Sequence, residues 1–211
     1  QSRPLDHITL DAILIEAGRD LARINCIPVT GYGRISRDEG DARLSAPHPN
    51  YRADALEHWE DDLSYLAENT VLDGGEIARL RSLPSRHGRW LDTRSSLLAH
   101  GDFDTTAIFQ HDGRYTGIID FGEVRGADRW YDLGHFHLCD GEYLPAVNMR
   151  PLVRGYSEVT PLTRNCGRRI CLASVLINVR ALSRSLRRRP PDRFTRRQVA
   201  VLRADLAMLD A

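Results

Sequence analysis

The hydrophobic period of this chain switches from helical to extended and back again. That double switch constrains the fold more than any other feature. Over residues 6–25 the apolar positions Ile8, Ala12, Ile15, Leu21 and Ile24 recur near helical spacing, which predicts one amphipathic helix ending before Pro28. The Gly-, Pro-, Asp- and Ser-rich stretch 30–50 reads as an ordered loop or flap. A second helix is predicted with Leu56, Trp59, Leu63 and Leu66 on one face and Glu57, Glu60, Asp61 and Asp62 mostly on the other, and a shorter third over 75–83. The period then changes. Residues 96–99, 106–110 and 115–119 are short apolar or β-branched runs, the last two joined by His111-Asp112-Gly113-Arg114. An Asp-Gly pair between such runs is a strong hairpin signal, because both turn residues must adopt positive φ. Helical spacing returns over 131–139, 144–157, 164–186 and 192–209, with Pro190-Pro191 separating the last two. The expected fold class is α+β, mostly helical, with a small central β-hairpin and no internal repeat.

Charge and cysteine content narrow the function classes. The 211 residues hold 29 basic and 29 acidic side chains, a balance that argues against a uniformly basic nucleic-acid binder. Every basic position is arginine, since the chain has no lysine. No run approaches the roughly 18 apolar residues of a membrane span, so a chain without membrane contact and a cytoplasmic location are expected. Cys26, Cys139, Cys166 and Cys171 are few and scattered, with no C-x-x-C pair to suggest zinc, and read as reduced, packed thiols. Arg180, Arg184, Arg187, Arg188, Arg189, Arg193, Arg196 and Arg197 crowd the C-terminal helices. A nucleic-acid adaptor is the rival function class they raise, but with only Phe194 among them base stacking has little support, and a solvated face pairing with nearby acids is the expectation.

Two aspartates flank the hairpin. Asp102 follows an apolar strand in His100-Gly101-Asp102-Phe103, and Asp120 ends another in Ile119-Asp120-Phe121-Gly122. A hairpin that leaves one loop and ends at the other can bring both carboxylates to one cavity. One acid can then orient and deprotonate a hydroxyl while the other holds a magnesium ion against phosphate charge. His100 is expected to be structural, its imidazole bonding loop backbone, and His135 and His137, two apart on one helix, are poor partners for a common metal.

These residues carry a resemblance. His100-Gly101-Asp102, the hairpin, Ile119-Asp120-Phe121, then Asp128 and Tyr131-Asp132-Leu133 reproduce, in order, the fingerprint of the aminoglycoside phosphotransferase and choline kinase family, small-molecule relatives of protein kinases. The likeness is strong over 97–136 and weak elsewhere. It implies the C-terminal lobe of a protein-kinase-like fold and an ATP-dependent phosphotransferase acting on a hydroxyl of a small substrate, cationic where the relative is an aminoglycoside enzyme. By the resemblance Asp102 looks like the catalytic base, Asp120 the magnesium ligand, Phe121 its neighbour at the nucleotide, and Asp132 a buried acid bracing the catalytic loop. Asp128 falls where the family's loop either meets substrate or braces the fold.

The chain departs from the family pattern twice. Five residues after Asp102, where the family has a metal-binding Asn, stands Ala107, whose methyl group cannot coordinate magnesium. Asp104, ahead of Thr105 and Thr106, is the first candidate to supply the missing oxygen, as a second metal- and nucleotide-binding group. The phosphate-binding lysine of the family's N-terminal lobe is also missing, as is a G-x-G-x-x-G loop with a following strand. The 211 residues are therefore expected to be one C-terminal lobe. Either an N-lobe lies outside this chain or has been lost, or an arginine has taken over, or ATP has been abandoned.

Overall fold

The computed structural model describes residues 6–36, 43–93, 95–143 and 147–211. Helix α1 (His7–Ile24) begins at Asp6, whose carboxylate accepts the Thr9 N–H at 2.8 Å and caps the first turn. A two-residue strand β1 (Gly33–Arg34) follows, then helices α2 (Tyr51–Ala55), α3 (Trp59–Glu68), α4 (Gly74–Arg86) and α5 (Gly88–Leu91). The centre holds β2 (Leu97–Ala99), the hairpin strands β3 (Ile108–His111) and β4 (Arg114–Ile118), and β5 (Arg125–Ala127). Helices α6 (Tyr131–Cys139), α7 (Met149–Val159), α8 (Cys166–Leu186) and α9 (Arg193–Asp210) complete the chain.

The α+β, mostly helical expectation holds, with five local corrections. The second helix is two, broken at Leu56–His58, so that Asp54 on α2 and Trp59, Leu63 and Leu66 on α3 are all buried. Asp62, expected on the solvent face, is buried as well. The third helix runs on past Pro84 to Arg86. The strand at 97–99 does not join the hairpin. β2 pairs antiparallel with β5, which pairs with β1, giving the order β1-β5-β2, with Leu98 opposite Gly126 and Gly33 opposite Gly126 on the other side. Strands of two or three residues are too short to show a period, which is why β1 and β5 were not legible. The hairpin is a separate two-stranded ribbon turning at Asp112-Gly113, both with positive φ. The last helices follow the sequence reading, except that α7 starts at Met149 and residues 144–146 lie outside the described ones. The Asp140 carboxylate accepts the Asn148 and Met149 N–H groups and so caps α7.

Two apolar clusters form the interior, and α8 is the wall they share. Leu63, Leu66, Leu80 and Leu83 pack with Val175, Val179 and Leu182 of α8 and Leu202 and Leu206 of α9. On the other side Leu14, Leu21, Leu133, Phe136, Leu152 and Tyr156 pack with Ile170 and Ala173 of the same helix, and Phe103 and Ala107 join them from the loop after β2. Helices α1 and α7 touch backbone to backbone: a Cβ on Gly155 would sit 1.9 Å from the Ile15 carbonyl oxygen. Phe103 thereby anchors the loop after β2 in the core, while Asp102 beside it stays exposed.

Candidate active site

The loop after β2 is held by one buried carboxylate. Asp132, fully buried at the start of α6, accepts the backbone N–H of His100 at 2.8 Å, that of Gly101 at 3.0 Å, and the Asn25 side-chain amide at 2.9 Å. Asn25 also donates to the Leu98 carbonyl at 2.9 Å and accepts the Tyr156 hydroxyl at 3.2 Å. A buried carboxylate is tolerable only when donors surround it, and here three do. His100 is itself fully buried, and its ring bonds backbone as expected: Nε2 lies 2.8 Å from the Ile119 carbonyl oxygen.

That last contact joins the two aspartate loops. Ile119 is followed by Asp120, whose backbone is left-handed at φ 66, ψ 54, a conformation Asp tolerates better than most residues. The Phe121 ring packs on His100 with centroids 4.8 Å apart, and the Ile119 N–H donates to the Ala107 carbonyl at 2.9 Å. Gly101, at φ +91, lies so close to the second loop that a Cβ would fall 1.9 Å from the Glu123 carbonyl oxygen. The loops thus meet at four points, two of them backbone against backbone. Asp120 is exposed and accepts no side-chain hydrogen bond among the described residues.

A cavity of about 1050 Å³ opens beside this junction. Asp102 and Asp104 line it; Asp120, Phe121, His100, Asp128 and Asp132 do not. Behind Asp102 stands a residue that sequence reasoning considered only as a poor metal partner. His135 Nε2 lies 3.2 Å from Asp102 Oδ1, and His135 Nδ1 lies 3.1 Å from the Phe103 carbonyl oxygen. The hydrogen bond from His135 is the main cause holding the Asp102 carboxyl below the ordinary range, against some burial. Burial opposes a charge on His135, but its bonds to Asp102 and to the Phe103 carbonyl outweigh that and leave the imidazole more basic than usual.

Asp104 is buried, and its Oδ1 accepts both the N–H and the hydroxyl of Thr106 at 2.6 Å, capping the short 3₁₀ turn 105–107. Ala107 is buried in the core behind that turn. Deeper in the cavity Arg125, from the unanticipated strand β5, donates to both oxygens of Asp54 at 2.8 Å and to the Tyr131 hydroxyl at 2.9 Å. No pattern in the sequence links Arg125 to Asp54, 71 residues away. Asp128 lies elsewhere, buried against Tyr51, Trp90, Trp130 and Arg169, with its Oδ1 accepting the Trp130 N–H at 3.2 Å, and burial raises its carboxyl. It therefore packs against the fold rather than facing the cavity.

Six acids (Asp54, Glu57, Asp102, Asp104, Glu123, Glu142) and six arginines (Arg34, Arg125, Arg180, Arg184, Arg188, Arg189) share the cavity walls. Most of these acids are matched: Glu57 by Arg180 at 3.4 Å, Glu123 by Arg34 at 3.1 Å, and Glu142 by Arg197 at 3.8 Å. The C-terminal arginine cluster is thus divided between the cavity and local partners, Arg187 lying over the Tyr65 ring at 4.0 Å and Arg189 pairing with Asp192 at 3.7 Å. Among the described residues, no three ligand-type side chains at the Asp102–Asp120 junction bring one atom each within 4.8 Å of one another. Magnesium, which keeps several waters and takes one or two protein carboxylates together with substrate phosphates, does not require such a group.

A family model described as "Phosphotransferase enzyme family" matches residues 1–162. The chain belongs to that family. Aminoglycoside 3'-phosphotransferases of Escherichia coli and Salmonella typhimurium are each 38% identical to it over 55 residues, which cover 26% of this chain and 20% of theirs. Among solved structures, a thermostable mutant of aminoglycoside phosphotransferase APH(4)-Ia, in a ternary complex with AMP-PNP and hygromycin B, superposes with a TM-score of 0.69 at 18% identity, over 96% of this chain and 66% of that one. A putative fructosamine-3-kinase from Thermobifida fusca gives 0.62 at 18% identity, over 98% and 68%. These likenesses establish a kinase-like fold. The chain spans about two thirds of the length of the structures it matches. Among the described residues no helix is long and apolar enough to cross a membrane.

Proposed function

We propose that this phosphotransferase-family chain is the substrate-binding and catalytic lobe of an enzyme that transfers the γ-phosphoryl group of ATP to a hydroxyl of a small molecule. The observation that supports this reading is the junction at which His100 bonds the Ile119 carbonyl, because it ties the loop of Asp102, which lines the cavity, to the loop that carries Asp120. Asp102 accepts the proton of the acceptor hydroxyl as its oxygen attacks phosphorus. It is exposed to the cavity, and His135 fixes its orientation. Asp120, and Asp104 through the oxygen not engaged by Thr106, are the residues that would hold magnesium, which neutralises phosphate charge when bound. Phe121 stays with the His100 ring and supports the loop from which a nucleotide would be met. Asp132 positions the loop through its three donors.

A hydroxylated acceptor carrying amino groups is supported by the aminoglycoside complexes of related structures and by the carboxylates in the wall. The arginine partners of those carboxylates moderate the pull on a polycation. Free thiols and ATP chemistry fit a cytoplasmic location. The test is ADP formation by the full-length gene product with a panel of aminoglycosides, amino sugars and simple alcohols. The expected result is acceptor-stimulated, magnesium-dependent turnover that a chelator stops. Nucleotide binding with no turnover on any acceptor would instead make the chain a ligand-binding relative, the reading favoured by Ala107.

A further inference from the structure

On the far side of α6 from Asp102, three helices bring together a histidine, a cysteine and an aspartate that take no part in the proposed reaction. His137 of α6, Cys171 of α8 and Asp205 of α9 each place a ligand atom within 4.8 Å of the other two. We infer that these three residues form a binding site for a zinc-class divalent cation, one that ties the C-terminal helices together.

The donor set fits such an ion. Thiolate with imidazole selects zinc over magnesium, and a carboxylate completes three of the four positions of a tetrahedron. Metal–ligand bonds of about 2.0–2.3 Å place neighbouring tetrahedral ligands roughly 3.3–3.7 Å apart. His137 Nε2 and Asp205 Oδ1 are 2.8 Å apart, so the ion requires this pair to open by about half an ångström, a side-chain adjustment.

A second observation points to a missing partner. Asp205 is only 2% exposed; its Oδ1 meets His137 and the carboxylate also takes the weak S–H bond of Cys171, while its Oδ2 finds no nitrogen or oxygen donor among the described residues. One turn along α8 from Cys171, the fully buried Ser174 hydroxyl also has none. Buried polar atoms are rarely left unpaired, and a half-satisfied carboxylate beside an imidazole and a thiol is what a cation would complete. His137, with a side chain about one-third exposed, supplies the way in and leaves room for water as the fourth ligand. Without the ion the same residues form an ordinary His–Asp contact between α6 and α9, and the experiment separates the two.

Cobalt(II) is the probe, because a four-coordinate site shows visible d–d bands and a cysteine ligand adds a near-ultraviolet charge-transfer band. The chelator-treated 211-residue chain should take up one equivalent with both signatures, and zinc should displace it and raise the melting temperature. Cys171→Ser, close in size, should abolish the charge-transfer band, whereas changing Cys26, Cys139 and Cys166 together to Ser should leave it intact. Circular dichroism checks that each variant folds. Absence of both signatures in the wild-type chain overturns the site whatever the variants do, and so does a charge-transfer band that survives Cys171→Ser. A stoichiometric charge-transfer band lost on changing Cys171 alone supports it.

Discussion

His135 Nε2 lies 3.2 Å from Asp102 Oδ1, so the exposed carboxylate at the cavity is held from behind by a largely buried imidazole, 13% exposed. The two shifts are reciprocal: Asp102 is more acidic than usual and His135 more basic. The pair is therefore charged from below the ordinary carboxyl value of 3.8 to above the ordinary imidazole value of 6.5. The stability that His135 contributes is present in full below 6.5 and is lost as pH rises through its raised folded value. The part due to Asp102 is present above 3.8 and is lost as pH falls through its lowered value. His135→Gln should move the acid limb of the pH–rate profile upward, toward the usual carboxylate range. An acid limb that stays in place would show that Asp102 does not owe its acidity to His135.

Asp132→Asn keeps volume but turns an amide toward backbone N–H donors. Losing charge-assisted bonds of this kind should cost about 1.5–3 kcal/mol, read as a lower urea midpoint at unchanged slope. A smaller loss of stability than of activity is expected, since His100 and Gly101 carry the catalytic loop.

Gly101→Ala puts a Cβ against the Glu123 carbonyl and forces a positive φ on alanine. The strain of such a backbone is on the order of 1–3 kcal/mol before the clash is counted. The loops must part to relieve it, so kcat should collapse while the far-ultraviolet circular dichroism remains. Wild-type kcat in Gly101→Ala would refute the close loop contact.

Arg125 is largely buried, its side chain 17% exposed, and bonded to both oxygens of the buried Asp54. Asp54→Ala leaves the guanidinium without its counter-charge and should destabilise the fold by about 3–5 kcal/mol, measurable by chemical denaturation. The double variant Asp54→Ala/Arg125→Met should recover much of that loss, because it removes the orphaned charge.

Much of this was readable in the sequence because it is local. The Asp112-Gly113 turn and the helical period of α6, α8 and α9 each depend on neighbours within a few residues. The order of His100-Gly101-Asp102, Ile119-Asp120-Phe121 and Asp132 was legible as a pattern, and the structure supplies its cause in the bonds among those loops. What was not legible depends on distance along the chain. Arg125 meets Asp54 across 71 positions, and β1 and β5 are too short to announce themselves. His135 and His137, two apart on α6, each find an aspartate on another segment, Asp102 and Asp205. Cys171, one of four scattered thiols, meets His137 and Asp205 only through helix packing.

The central claim is that Asp102 and Asp120 jointly perform phosphoryl transfer. Its most direct test follows γ-labelled phosphate from ATP into a hydroxylated acceptor, using the full-length protein as wild type, Asp102→Asn and Asp120→Asn. Label should appear in the acceptor for the wild type in the presence of magnesium. It should fall by about 10²–10⁴-fold in Asp102→Asn, the range for removing a general base, with nucleotide still bound, and in Asp120→Asn it should fall together with the magnesium dependence. Transfer that survives Asp102→Asn at the wild-type rate would contradict the account.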